Sequence, residues 1–192
     1  MSEAKAEVTT MVLIRHAESA PNRDLAEADW PLSSRGREQA ESLAGELSGA
    51  GIAEVYSSPY LRAVDSVRRL ADRIGVSVDL RSELRERKLR EGLRDDWREL
   101  LKRAWADFTF ALPNCESGFE CQTRMRDCLA RLAQEQSGCT IAVCSHGNAI
   151  GLFLNSIDSQ FGFTQWSQMK NPDLFWIEWR DGDPEWVRGQ QA

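Results

Sequence analysis

Apolar positions along the chain switch between two spacings. Met11-Val12-Leu13-Ile14 is a continuous apolar run, too short for a helix and of the kind buried on both faces of a parallel sheet. A polar stretch with Pro21, Asn22 and Pro31 follows. Ala40, Leu43, Ala44 and Leu47 then recur at helical spacing until Gly49 and Gly51. Ile52 to Tyr56 reads as a second strand. The next helix is expected to be capped by Ser58, with Pro59 in its first position. Leu61, Val64, Val67, Leu70, Ala71 and Ile74 would form its inner face and Gly75 its stop. Val76, Val78 and Leu80 alternate as a third strand.

Residues 81–138 break this rhythm and predict two helices. One carries Trp97, Leu100, Leu101, Trp105 and Phe108, the other Met125, Cys128, Leu129, Leu132 and Ala133. Ile141–Cys144 is again a buried-type strand, followed by a helix starting near Asn148. Leu174–Trp179 and Glu185–Arg188 read as a hairpin around the Asp181-Gly182 turn. The alternation predicts an α/β fold, a three-layer sandwich with a mostly parallel sheet and helices on both faces. It also predicts an antiparallel edge at the C-terminus and a helical insertion, about 81–138, over one end of the sheet. With no Pro-, Gly- or Ser-rich linker, 1–192 is read as one domain.

Composition narrows the class. With 42% hydrophobic and 28% charged residues in 192, the chain is neither disordered nor a disulfide-held miniprotein. No apolar stretch approaches the roughly 20 residues of a membrane span. Met1–Thr10 lacks the apolar core of a secretory leader. A net charge of -6 argues against a nucleic-acid partner. Cys115, Cys121, Cys128, Cys139 and Cys144 are odd in number and form no Cys-x-x-Cys pair, so reduced thiols and a cytoplasmic location are expected.

The chain has only two histidines, and both follow a predicted strand after a single residue: His16 after Arg15, His146 after Ser145. Ligands in open α/β sheets bind at the carboxyl ends of strands. If these two strands are neighbours, the imidazoles meet at one edge. Two polar loop residues or two metal ligands are the competing readings, but no third histidine remains to complete a metal site. A neutral imidazole is a competent nucleophile. Arg15 offers a fork suited to phosphate and, as a nearby cation, helps keep His16 neutral. The helix opened by Gly147-Asn148 would present free N–H groups to an anion. Arg62 sits in the first turn of its helix near the same edge. Glu86, after the third strand, is a candidate general acid. The basic residues of 81–103 read first as a solvated helix laced with ion pairs and second as a cationic lip. Trp97 and Trp105 read first as core and second as an apolar wall beside a phosphate.

Arg15-His16-Ala17-Glu18-Ser19 resembles the Arg-His-Gly signature of the histidine phosphatase superfamily, the phosphoglycerate-mutase-like proteins, with Ala17 in place of Gly. Leu32-Ser33-Ser34-Arg35-Gly36-Arg37-Glu38-Gln39-Ala40, Ser57-Ser58-Pro59 with Arg62-Ala63, and Ser145-His146-Gly147 agree with the same family in order and spacing. The resemblance implies that His16 is the nucleophile and forms a phosphohistidine. It implies that Arg15, Arg62 and His146 hold the phosphoryl group with help from Asn22, and that Glu86 is the proton donor. Ser19, Glu83, Glu116, Gly147 and Asn148 are weaker site candidates, and Glu83 is the alternative acid. No metal and no cofactor are implied. The expected function is a phosphatase acting on a small phosphorylated molecule or a phosphoprotein. A phosphoglycerate mutase and a non-catalytic phospho-ligand module are the alternatives, and a homodimer is left open.

Overall fold

The computed structural model describes residues 7–89 and 96–187. The N-terminal six residues, Arg90 and Arg94 of the basic stretch, and Arg188 of the hairpin lie outside the described residues. The chain forms β1 (Thr9–Arg15), α1 (Ser34–Leu47), β2 (Ile52–Ser57), α2 (Leu61–Ile74) and β3 (Val78–Leu80), then α3 (Trp97–Ala106) and α4 (Gly118–Glu135). β4 (Thr140–Ser145), α5 (Gly147–Ile157), α6 (Phe163–Gln168), β5 (Asp173–Arg180) and β6 (Asp183–Val187) complete it. The sheet has six strands in the order β3-β2-β4-β1-β5-β6. β1 and β4 run parallel, as do β2 with β4 and β2 with β3, while β5 and β6 are the antiparallel edge.

The unbroken apolar runs of β1 and β4 follow from burial on both faces. Met11, Leu13, Ile141 and Val143 pack with Leu101, Met125, Leu129 and Ile150 of α3, α4 and α5. Val12, Ile14, Ala142 and Cys144 pack on the other side with Leu43, Leu47, Val67 and Leu70 of α1 and α2. Alternate residues of one strand thus serve two cores, and each large aliphatic side chain withdrawn from water stabilises the sheet by about 1.5–3 kcal/mol. Of segment 81–138, α4 is a full member of one helical layer, and Trp97 at the start of α3 reaches the cleft described below. Among the described residues no helix is long and apolar enough to cross a membrane.

α5 begins at Gly147, as expected, with His146 as its N-cap residue. One helix start differs from expectation. α2 begins at Leu61 with Tyr60 as N-cap, not at Pro59 after Ser58. Val67, Leu70 and Ala71 of its expected inner face are buried, Val64 and Ile74 are half-buried, and Leu61 is exposed. Arg62, Ala63 and Ser66 join the buried stripe, bringing a guanidinium and a hydroxyl that apolar periodicity did not include. Gly75 does end the helix, in the left-handed conformation at φ 79°. α6, which the polar sequence Thr164-Gln165 obscured, lays Trp166 against the open side of Gly151.

Candidate active site

Strand register brings the histidines together. Arg15 pairs with Ser145 across β1 and β4, so His16 and His146 leave neighbouring strands at one level. His16 N–H donates to Ser145 O at 3.1 Å, and Ser58 N–H, from the end of β2, donates to Cys144 O at 2.9 Å. The two imidazole centroids lie 5.1 Å apart, nearly edge to face. Both side chains are buried.

Hydrogen bonding assigns the tautomer of His16. Its Nδ1 lies 2.7 Å from Ala17 O, which can only accept, so Nδ1 carries the proton and Nε2 the lone pair. Arg62 Nε–H donates to that Nε2 at 3.2 Å. Burial first, and then the Arg62 charge, pull the His16 pKa from 6.5 down to about 3; the Ala17 contact opposes and Arg15 adds a smaller push. Arg15 therefore helps keep the ring neutral, as expected, but desolvation and Arg62 do more. His146 is also held well below the ordinary imidazole range, by burial and then by His16 and Arg62. Its Nε2 is 2.7 Å from Ser58 Oγ, and Ser58 Oγ accepts Tyr60 N–H at 3.2 Å. A hydroxyl can donate to Nε2 or accept from it, so this contact fits either tautomer of His146. Among the described residues, the buried His146 Nδ1 has no hydrogen-bond partner.

Arg15 Nη1 donates to Met169 O at 2.8 Å, and its guanidinium lies on Gly147, where a Cβ would be 3.1 Å from Cζ. Arg62 lies 4.9 Å above the Tyr60 ring and donates to Glu27 O at 2.6 Å. Glu86 lines the site as expected, whereas the donors at the start of α5 depart from expectation. The N-terminus of α5 is not an open anion cradle, because Asn148 and Ala149 N–H donate to the Glu86 carboxylate at 3.2 and 3.0 Å, with Arg87 N–H at 2.8 Å. These donors favour the ionised form, yet burial outweighs them and raises the Glu86 pKa above 4.5.

A cleft of about 430 Å³ opens over this group, lined by Arg15, His16, Ser19, Pro21, Glu27, Trp30, Arg62, Glu86, Arg87, Leu89 and Trp97. Trp97 is therefore at the wall, while Trp105 is buried and donates to Asn148 Oδ1 at 3.0 Å. Other candidates stand elsewhere. Asn22 is exposed and closes a turn, its Oδ1 accepting Asp24 N–H at 2.9 Å. Glu83 pairs with Arg131 at 3.0 Å, and Glu116 is held by Arg124 at 2.7 Å and by Arg85 at 3.3 Å. Arg87 is not a solvated helix residue: it lines the cleft but is buried, and it donates to the carbonyls of Glu116, Ala104 and Phe110.

Several positioning groups escaped the sequence. Ser66 Oγ accepts Ala17 N–H at 2.8 Å and donates to Arg62 O at 2.6 Å, tying the His16 loop to α2. Its place four residues after Arg62, one helical turn on, was the available signal. Asn171 Nδ2 donates to His16 O at 2.7 Å, and Gln39 bridges Asn171 O to Glu18 N–H. Gly36 lets α1 approach this loop, since a Cβ there would lie 2.0 Å from Glu18 O. Among the described residues no cluster of three or more His, Cys, Asp or Glu side chains has metal-holding geometry.

A family model for the histidine phosphatase superfamily (branch 1) matches residues 11–191. The chain belongs to that superfamily. Its members are enzymes, phosphatases and mutases among them. The chain is 28% identical over 158 residues to a probable phosphoglycerate mutase GpmB of Enterobacter sp. (strain 638), covering 76% of this chain and 73% of the relative. Bacillus stearothermophilus YhfR has the same fold, with a TM-score of 0.79 at 22% identity over 96% of this chain and 98% of that one. A phosphoserine phosphatase from Entamoeba histolytica aligns with a TM-score of 0.76 at 23% identity, over 93% and 95% of the two chains.

Proposed function

We propose that this superfamily member is a phosphatase that hydrolyses a phosphate monoester through a phosphohistidine on His16. The observation that carries this reading is the neutral His16 ring, its tautomer set by Ala17 and its Nε2 turned toward Arg62. In the proposed cycle the ester phosphate enters the cleft and draws Arg62 Nε–H off the Nε2 lone pair onto a phosphoryl oxygen. Arg15, Arg62 and His146, whose unpartnered Nδ1 carries the proton in this reading, would then share the charge of the equatorial oxygens. Nε2 attacks phosphorus, the P–O bond to the alcohol breaks, and Glu86 gives its proton to the leaving oxygen. The Glu86 carboxylate next takes a proton from water, hydroxide attacks phosphorus, the P–N bond breaks, and inorganic phosphate leaves a neutral His16.

The raised pKa of Glu86 supports its part, because the acid form must be present before the first transfer. A small phosphorylated molecule suits a cleft of about 430 Å³. All five cysteines are free thiols, which supports a reducing, cytoplasmic compartment. The mutase reading is favoured by the name of the curated relatives, and would require the phosphoryl group to pass to a second hydroxyl in place of water. Wild-type protein mixed with labelled phosphate ester and quenched is expected to carry label on His16, and His16→Ala to carry none and to lose turnover while remaining folded. Retained turnover in His16→Ala refutes the nucleophile. Conversion of 3-phosphoglycerate to its 2-isomer faster than phosphate release selects the mutase.

A further inference from the structure

One acidic side chain at the cleft has no part in the cycle above. Glu27 lies in a single 3-10 turn, Glu27–Asp29, and lines the cleft beside Arg62. Its Oε1 is 3.4 Å from Arg62 Nη2, and its carbonyl oxygen accepts from Nη1. Arg62 is 4% exposed at its side chain, whereas Glu27 keeps 41%. An anion thus stands next to the guanidinium, on its solvent side, where the rest of a bound ester would lie. Pro21, Leu89 and Trp97 line the same cleft and offer apolar surface to a short carbon chain.

We infer that Glu27 is a specificity-determining residue that directs the site toward esters whose alcohol part is neutral or carries an ammonium group, and against esters with a carboxylate near the phosphate. This rests on the phosphomonoester reading above. The physical reason is charge balance. The phosphate is matched by Arg15 and Arg62, so a further negative group meets the Glu27 carboxylate as a like charge in a partly desolvated cleft. An ammonium group there completes an ion pair. At this degree of exposure each effect is worth roughly twofold to fivefold in affinity. Glycerate phosphates carry such a carboxylate and are disfavoured on this ground.

The test uses three matched ligands: propylphosphonate, 2-aminoethylphosphonate and 2-carboxyethylphosphonate. Their binding to wild type and Glu27→Gln is measured by calorimetry, and hydrolysis of the corresponding phosphate esters is measured in parallel. Wild type is expected to bind the amino ligand most tightly and the carboxy ligand least, and Glu27→Gln to shrink the amino-to-carboxy ratio by about tenfold. The ratio cancels any shift of Arg62 common to the three ligands. An equal ratio in both proteins, or preference of the wild type for the carboxy ligand, overturns the inference. Turnover of all three esters with a flat ratio leaves the phosphatase reading standing and removes the selection. The expected ratios with no ester hydrolysed uphold the selection and remove the phosphatase reading.

Discussion

Lowering the pH should destabilise this protein through its own cleft imidazoles, and His16 sets the scale. In the fold its pKa is pulled from 6.5 to about 3, chiefly by burial and by Arg62. In the unfolded chain it returns to the ordinary value. A depressed imidazole pKa means that below 6.5 the unfolded state gains a proton that the native state refuses until about 3. Stability is therefore intact above that upper value and is lost progressively as the pH falls toward the lower one. At about pH 5 the unfolded imidazole is about 1.5 units below its pKa, which at about 1.4 kcal/mol per unit destabilises the fold by about 2 kcal/mol. His146 acts in the same direction. The perturbation is His16→Asn, which keeps a polar group but cannot titrate. Urea unfolding followed by tryptophan fluorescence, at about pH 7.5 and about pH 5, gives the loss for each protein, and the carboxylates common to both cancel in the difference. The variant should lose about 2 kcal/mol less than wild type over this range. Parallel losses would show that the native imidazole titrates freely, and both the buried neutral ring and its fixed tautomer would then be wrong.

Two further outcomes follow from the same geometry. Glu86→Gln should lower kcat by about 10²–10⁴-fold. It should also remove the alkaline limb of the kcat/KM profile, which in wild type falls as pH rises through a Glu86 pKa that burial holds above 4.5; a retained limb assigns the acid elsewhere. Gly147→Ala puts a methyl group 3.1 Å from Arg15 Cζ, so the guanidinium must move a few tenths of an ångström. KM for phosphate esters should then rise roughly fivefold to tenfold with little change in Tm, and an unchanged KM would take Arg15 out of the phosphate site.

Much of this protein was legible one residue at a time. Runs such as Met11–Ile14 and Ile141–Cys144 can be satisfied only by burial on both faces, so the parallel sheet and its helical layers followed from local pattern. The slots of His16 and His146, each one residue past such a run, followed as well. What local pattern could not carry was orientation around a helix and choice among competing donors. Ser58 has the chemistry of a helix cap, but its hydroxyl, set at the end of β2, meets His146 as well as Tyr60 N–H ahead of α2. The α5 N–H groups suit any anion and receive Glu86, because the chain after β3 returns beneath them. Asn22 has the chemistry of a phosphate ligand but is used by its own turn, whereas Glu27, five residues on, reaches Arg62. Residue types and their spacing determined the chemistry this chain can offer. Which groups meet, and how deeply each is withdrawn from water, was decided by the fold, because burial and charge contact depend on distances in space that separation along the chain does not encode.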